Sequence, residues 1–226
     1  MGWTLGVVAV LLLGLVVMSP IFWEGIVLPM IVFPPIHYAA AIDGRVIDAA
    51  TGEPVPDVAV AVVWELETEM VGHRLFHLES THTGADGRYH FAAWGPKLRF
   101  PPMLVLQSDQ PNLIFFKPGY FYRIVGNTLR DNRSMTRHSD WDGHDLALLR
   151  APTDDKGYAK SVGELTSLHV EKFFLVDCSW ERIPDLITAA LEGSDRLIQG
   201  RAWPRGETQP RQLWPELAQR AGCSPL

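Results

Sequence analysis

Histidine is the side chain best suited to chemistry near neutral pH, and this chain carries eight: His37, His73, His77, His82, His90, His138, His144 and His169. Neutral imidazoles ligate zinc or copper, so three that converge would make a metal centre. Two candidate sets follow from spacing. Gly84-Ala85-Asp86-Gly87 reads as a hairpin turn, and in that register His77 and His90 share a sheet face with Glu79 and Thr81. His82 then falls on the opposite face, beside Tyr89. The second set is the loop from His138 to Asp145, where Asp140, Asp142 and His144 could line a cation site with oxygen and nitrogen ligands. Asp140 and Asp142 match the opening of an EF-hand loop, but the position of its distal bidentate glutamate is Ala151. The simpler reading is surface histidines and a polar turn. No metal and no cofactor is expected, with His77, His90, Asp140, Asp142 and His144 as the residues to follow.

Catalytic signatures are missing from the sequence. It contains no His-Glu-x-x-His, no Gly-x-Ser-x-Gly, no Gly-x-x-x-x-Gly-Lys-Ser/Thr and no Gly-x-Gly-x-x-Gly. An enzyme is therefore not expected. A formal charge of −6 with scattered Lys and Arg argues against a nucleic-acid partner, which a basic patch would announce. Apolar content of 47% against 20% charged residues belongs to a folded chain.

The elements that must position these residues centre on Ile42 to Trp94. Val58, Val60, Val62, Trp64 and Leu66 share one parity, and Ala59, Ala61, Val63, Glu65 and Glu67 the other. A period of two with β-branched residues predicts a strand, and an opposite face that is small and apolar before turning acidic predicts a central one. Thr51-Gly52-Glu53-Pro54 reads as a turn joining it to a strand over Gly44–Asp48. Tyr89 and Phe91 should face inward together after the second turn.

The run Gly44-Arg45-Val46-Ile47-Asp48 through Thr51-Gly52-Glu53-Pro54 to Val58-Ala59-Val60 resembles the carboxypeptidase regulatory-like domain. So do Thr83-Gly84-Ala85-Asp86-Gly87-Arg88-Tyr89-His90-Phe91 and Lys117-Pro118-Gly119-Tyr120. The resemblance covers roughly residues 42–125 and implies a small transthyretin-like β-sandwich. Its motifs are turn and core residues. Peptidases that carry such a domain keep a His-x-x-Glu zinc motif in a separate catalytic domain, and no histidine here has Glu three residues on.

The two ends complete the plan. Gly2 to Trp23 has no charged residue, which predicts a transmembrane anchor over residues 1–24 with the bilayer contacted through residues 2–23. An apolar, proline-broken linker over 25–41 follows. Residues 42–150 form the mainly β, transthyretin-like or Ig-like sandwich. Residues 151–226 form a helical extension and irregular tail, with helices over Ser161–Trp180, Ile183–Leu197 and Pro215–Ala221. Further strands are read over Pro101–Leu106, Leu113–Phe116 and Tyr120–Val125, and loop over Asn127–Asp145. Cys178 and Cys223 either pair, if the domain lies outside the cytoplasm, or stay as two thiols. Trp203 and Trp214 lie among arginines and prolines, where they either anchor a partner protein or wrap over their own sandwich. The expectation is a non-catalytic, membrane-anchored protein whose domain is extracytoplasmic, on the periplasmic side of a bacterial inner membrane. It would act as an accessory or structural subunit binding other membrane or periplasmic proteins. The alternative is a small-ligand or metal-binding module using the Asp140–Asp145 loop or the hairpin histidines.

Overall fold

A computed structural model describes residues 35–68, 72–100, 104–106, 109–128, 134–152, 156–170, 178–203 and 208–223. The anchor expected over 1–24, and most of the linker after it, lie outside these residues. Among the described residues no helix is long and apolar enough to cross a membrane.

The strands in chain order are β1 (Ile36–Ala39), β2 (Ile42–Asp48), β3 (Ala59–Thr68), β4 (Gly72–His82), β5 (Arg88–Phe91) and β6 (Trp94–Leu98). They continue as β7 (Val105–Leu106), β8 (Asn112–Phe116), β9 (Arg123–Val125), β10 (Thr136–Arg137) and β11 (His144–Leu148). The largest sheet has the order β4-β3-β8-β9, with β7 also paired to β3. Two smaller sheets, β11-β2-β5 and β10-β1-β6, each contain a parallel edge, β11 on β2 and β10 on β1. The protein is mainly β, and its sheets pack as a sandwich.

Strand β3 is buried on both faces, as a central strand should be. Val60, Val62, Trp64 and Leu66 fill the core between the sheets with Tyr89, Phe91, Leu113, Phe115 and Leu146. Ala59, Ala61 and Val63 face the other way, into a second core roofed by helices. These are α1 (Lys156–Glu164), continued as a π-helix over Leu165–Val170, then α2 (Pro184–Gln199) and α3 (Pro210–Arg220). Small residues on the outer face of β3 leave room for α2 to lie close. Gly193 of α2 is pressed so near Phe116 that a Cβ would stand 2.8 Å from the ring. The helices are therefore a third layer of the same body, not an appendage trailing from the sandwich.

Several expectations are corrected. The segment read as the end of a linker contains β1, which pairs with β6 and β10. The stretch read as loop over Asn127–Asp145 contains β10 and the start of β11. The first helix begins at Lys156, so Ser161, read as its start, lies inside it. The last helix begins at Pro210, with Pro215 inside it. Pro210 sits at the first turn, where a missing N–H costs nothing.

The largest correction concerns the turn at Gly84–Gly87. It joins β4 to β5, but β4 pairs with β3 and β5 pairs with β2, so the two are not a hairpin. Thr83 forces the crossing. It is fully buried; its hydroxyl donates to the Val55 carbonyl at 2.8 Å and accepts the Val58 N–H at 2.9 Å. That clamps the chain beside the start of β3 before the turn carries it to the facing sheet. Gly87 sits at φ +74°, and a Cβ there would lie 2.6 Å from the Val46 carbonyl oxygen. Gly87→Ala is expected to cost on the order of 2 kcal/mol in urea unfolding, from left-handed backbone strain with the clash added. A change of only a few tenths would remove this turn from the list of features that hold the two sheets together.

Candidate functional site

The chemistry-bearing residues gather at two places on the β11-β2-β5 sheet. At one end, β2 and β5 place Asp43 opposite His90, and β2 and β11 place Gly44 opposite His144. His90 Nδ1 lies 2.8 Å from Asp43 Oδ1, and the Asp43 N–H donates to Asp142 Oδ1 at 2.8 Å. His144 Nδ1 lies 2.8 Å from the Asp142 carbonyl oxygen. Asp140 turns the other way and accepts both the N–H and the hydroxyl of Thr128, at 2.6 and 2.8 Å. These contacts stitch the loop before β11 onto the neighbouring strands. They leave Asp43, His90, Asp142 and His144 exposed along one rim.

Beneath the rim lies Tyr89, whose phenol crosses Gly44 so closely that a Cβ there would stand 2.4 Å from its oxygen. Burial, then the Asp142 and Asp43 carboxylates, push the Tyr89 phenol far above its ordinary pKa. Among the described residues no group of three or more His, Cys, Asp or Glu converges as a metal site.

His77 is not part of this rim. It lies on β4, in the other sheet, where it packs on Trp94 with ring centroids 4.8 Å apart and stands 3.6 Å from Glu79. The shared face expected for His77 and His90 required a hairpin that does not form. Burial, followed by the nearby cations Lys97 and Arg182, lowers the His77 pKa to about 4. His37 on β1 is similar: only 1% exposed, it meets Phe76 edge-on at 5.8 Å. Burial, then Arg137 and Arg99, lower its pKa to about 4 as well. Neither ring nitrogen of His37 has a hydrogen-bond partner among the described residues.

The second place is the buried carboxylate of Asp48, at the other end of β2. Its Oδ1 accepts the N–H groups of Ala50 at 2.9 Å and Thr51 at 3.3 Å, forming the turn that leads to Pro54. Its Oδ2 accepts the Tyr120 hydroxyl at 3.0 Å and the Arg150 guanidinium at 3.1 and 3.2 Å. Arg150 also lies over the Tyr120 ring, 5.3 Å from its centroid. The Ala50 N–H, then Tyr120 and Arg150, hold the Asp48 pKa below the usual carboxylate range against the opposing effect of burial. A cleft of about 440 Å³ opens here, lined by Glu53, Lys117, Tyr120 and Arg150 among others. The Lys117 ammonium donates to the Pro56 carbonyl. The Thr51–Pro54 turn and the Lys117–Tyr120 turn, far apart in sequence, are thus tied through one carboxylate. Asp48, Tyr120 and Arg150 are each hydrogen-bonded to the other two.

No protein-family model matches this chain, and no curated protein matches it. Solved structures do. The shaft pilin SpaA of Lactobacillus rhamnosus GG is 10% identical over 52% of this chain, with a TM-score of 0.26. The plantain pollen allergen Pla l 1 is 11% identical over 50%, at 0.26, and a 9R-lipoxygenase from Cyanothece is 15% identical over 75%, at 0.28. This chain spans 47% of the pilin chain, 97% of the allergen and 27% of the lipoxygenase. At these scores the likenesses carry no functional argument.

The carboxy-terminal tryptophans turn inward. Trp214 is 1% exposed within the core shared by β3 and the helices, and Trp203 packs against that core, half-buried. Trp214 thus follows the second of the two readings, wrapping over its own sandwich: the apolar helix face has its own sheet to cover. Cys178 and Cys223 are bonded to each other, with Cα atoms 5.5 Å apart. What sequence reasoning missed was the role of Arg150 and the burial of His37 and Arg99. Their only signal was a cationic or titratable residue beside an apolar alternation, which is too weak to single out.

Proposed function

We propose that this protein is a non-catalytic, membrane-anchored accessory or structural subunit whose sandwich, of carboxypeptidase regulatory-like type, presents a defined face to other membrane or periplasmic proteins. The observation that carries this reading is how the chain enters the fold. The Pro35 carbonyl accepts the Arg99 N–H at 2.8 Å, and Ile36 immediately pairs with Leu98. The uncharged stretch 2–23 is thus followed, after a short apolar run, by a strand of the sandwich itself. A tether meant only to keep a domain nearby is usually a flexible polar linker. Entry through a paired strand fixes the tethering point on the β10-β1-β6 sheet, which gives the sandwich a side nearest the membrane.

The Cys178–Cys223 bond supports an oxidising, extracytoplasmic compartment. The polar groups support a non-catalytic reading, because the best-formed cluster, Asp48 with Tyr120 and Arg150, is spent on closing two turns. A mild-detergent pull-down of the full chain, with mass spectrometry and metal analysis, tests the proposal. Reproducible membrane-protein partners at fixed stoichiometry are expected, and association should be lost when residues 1–34 are deleted. A lone chain carrying about one metal ion per molecule would overturn it in favour of a binding module.

A further inference from the structure

Among the described residues, the large exposed apolar side chains are concentrated at one corner. Ile36 is 38% exposed, Leu98 62%, Phe100 68% and Met135 51%. All four lie on the β10-β1-β6 sheet or within two residues of its strands; Leu149 is the large hydrophobic exposed elsewhere among the described residues. Ile36 and Leu98 are direct cross-strand partners, so their side chains share a face. Beside them runs a groove of about 310 Å³ whose lining includes Leu98 and Phe100 together with Arg74, Lys97 and Arg182, and no carboxylate. Arg74 is held at its edge by donating to the Phe100 carbonyl at 3.4 Å. Three cations without an acid stand out in a chain of net charge −6.

We propose that this corner rests on the surface of an anionic lipid bilayer: Ile36, Leu98 and Phe100 enter the interfacial region while Arg74 and Arg182 meet the headgroups, Lys97 being turned inward to donate to the Phe76 carbonyl. Apolar side chains bordered by cations are the composition of an interfacial membrane contact. The position argues for the same occupant. The chain arrives at this corner, since Pro35 and Ile36 pair with Arg99 and Leu98. The run between the uncharged stretch and Pro35 can extend at most about 40 Å, so an anchor in residues 2–23 would hold the corner within that reach. Tethering of this kind makes even a weak contact highly populated. The proposal rests on the anchored reading above and adds a face to it.

The test uses the full chain with phosphatidylcholine bilayers, with and without phosphatidylglycerol, and two separate readouts. Retention on the membrane after a carbonate wash reports the anchor. Amide hydrogen exchange over residues 72–76 and 94–100 reports the corner. Exchange there should slow when phosphatidylglycerol is present, and Arg182→Gln should reduce that protection about fivefold. Leu98→Ser with Phe100→Ser should abolish it, while exchange of β3 stays unchanged and shows that the fold is intact. Retention without any lipid-dependent protection overturns the docking face and leaves the anchor standing. Equal protection in detergent micelles also overturns it, because a second copy or the chain's own residues 25–34 would then be the cover. If carbonate releases the chain, the anchored reading fails, and added vesicles decide the face alone: protection that follows phosphatidylglycerol supports it, and none overturns it.

Discussion

Acidification from about pH 7 to about pH 5 is expected to destabilise the folded protein by roughly 4 kcal/mol through two histidines. In the unfolded chain His37 and His77 take up a proton near the ordinary histidine value of 6.5, whereas in the fold both stay neutral down to about 4. Between those values the unfolded chain binds more protons than the native one, so stability rises with pH across this window and is lost as pH falls through it. Each site contributes about 2 kcal/mol of the loss by pH 5. The cause lies in the packing: an imidazole wedged against Phe76 with Arg99 and Arg137 nearby, and another stacked on Trp94 with Lys97 and Arg182 nearby. Urea unfolding at both pH values, followed by tryptophan fluorescence, measures the effect. His37→Leu and His77→Gln should each flatten the profile by about half, since each removes one of two similar contributions. Identical slopes in wild type and both variants would sink the idea.

Opening the Cys178–Cys223 bond should have an effect of similar size. The two cysteines are 45 apart in sequence, and closing a loop of that length removes about 4 kcal/mol of unfolded-state entropy in the chain-entropy model. The loop encloses the whole of α2 and α3, so the bond ties these two helices into one unit. Trp214, Leu217 and Ala218 still bury α3 against the shared core, so reduction should lower the unfolding midpoint without detaching the helix. Unfolding with and without reductant, compared with Cys178→Ser/Cys223→Ser, makes the measurement. An unchanged midpoint would mean that the bond constrains little that packing does not already hold.

Both effects depend on burial that a one-dimensional reading reaches only in part. The alternation of Val58 to Leu66 correctly marks a strand buried on two sides, because a period of two is a local property. Tyr89 and Phe91 face inward as that periodicity demands, at 4% and 2% exposure. The hairpin inference at Gly84–Gly87 failed for a non-local reason. A turn sequence specifies that the chain reverses, not which sheet it then joins, and Thr83's bonds to Val55 and Val58 made that choice. His77 and His90 were separated as a consequence. The parallel pairing of β11 with β2 was equally hidden, because His144–Leu148 is short and its partner lies about a hundred residues earlier, as the Arg45 and Asp145 pair shows.

The sequence by itself determined the mainly β sandwich, its central strand, the positions of its tight turns and the carboxy-terminal helices. Each of these follows from backbone preference and periodicity within a few residues. Only the tertiary structure decided that the helices roof the sheet, that Trp214 fills an internal core, that Asp48 joins two distant turns, and that His37 and His77 are held neutral. Those outcomes depend on which surfaces meet. Contact between residues far apart in the chain is set by the packing of the whole molecule, and no local spacing encodes it.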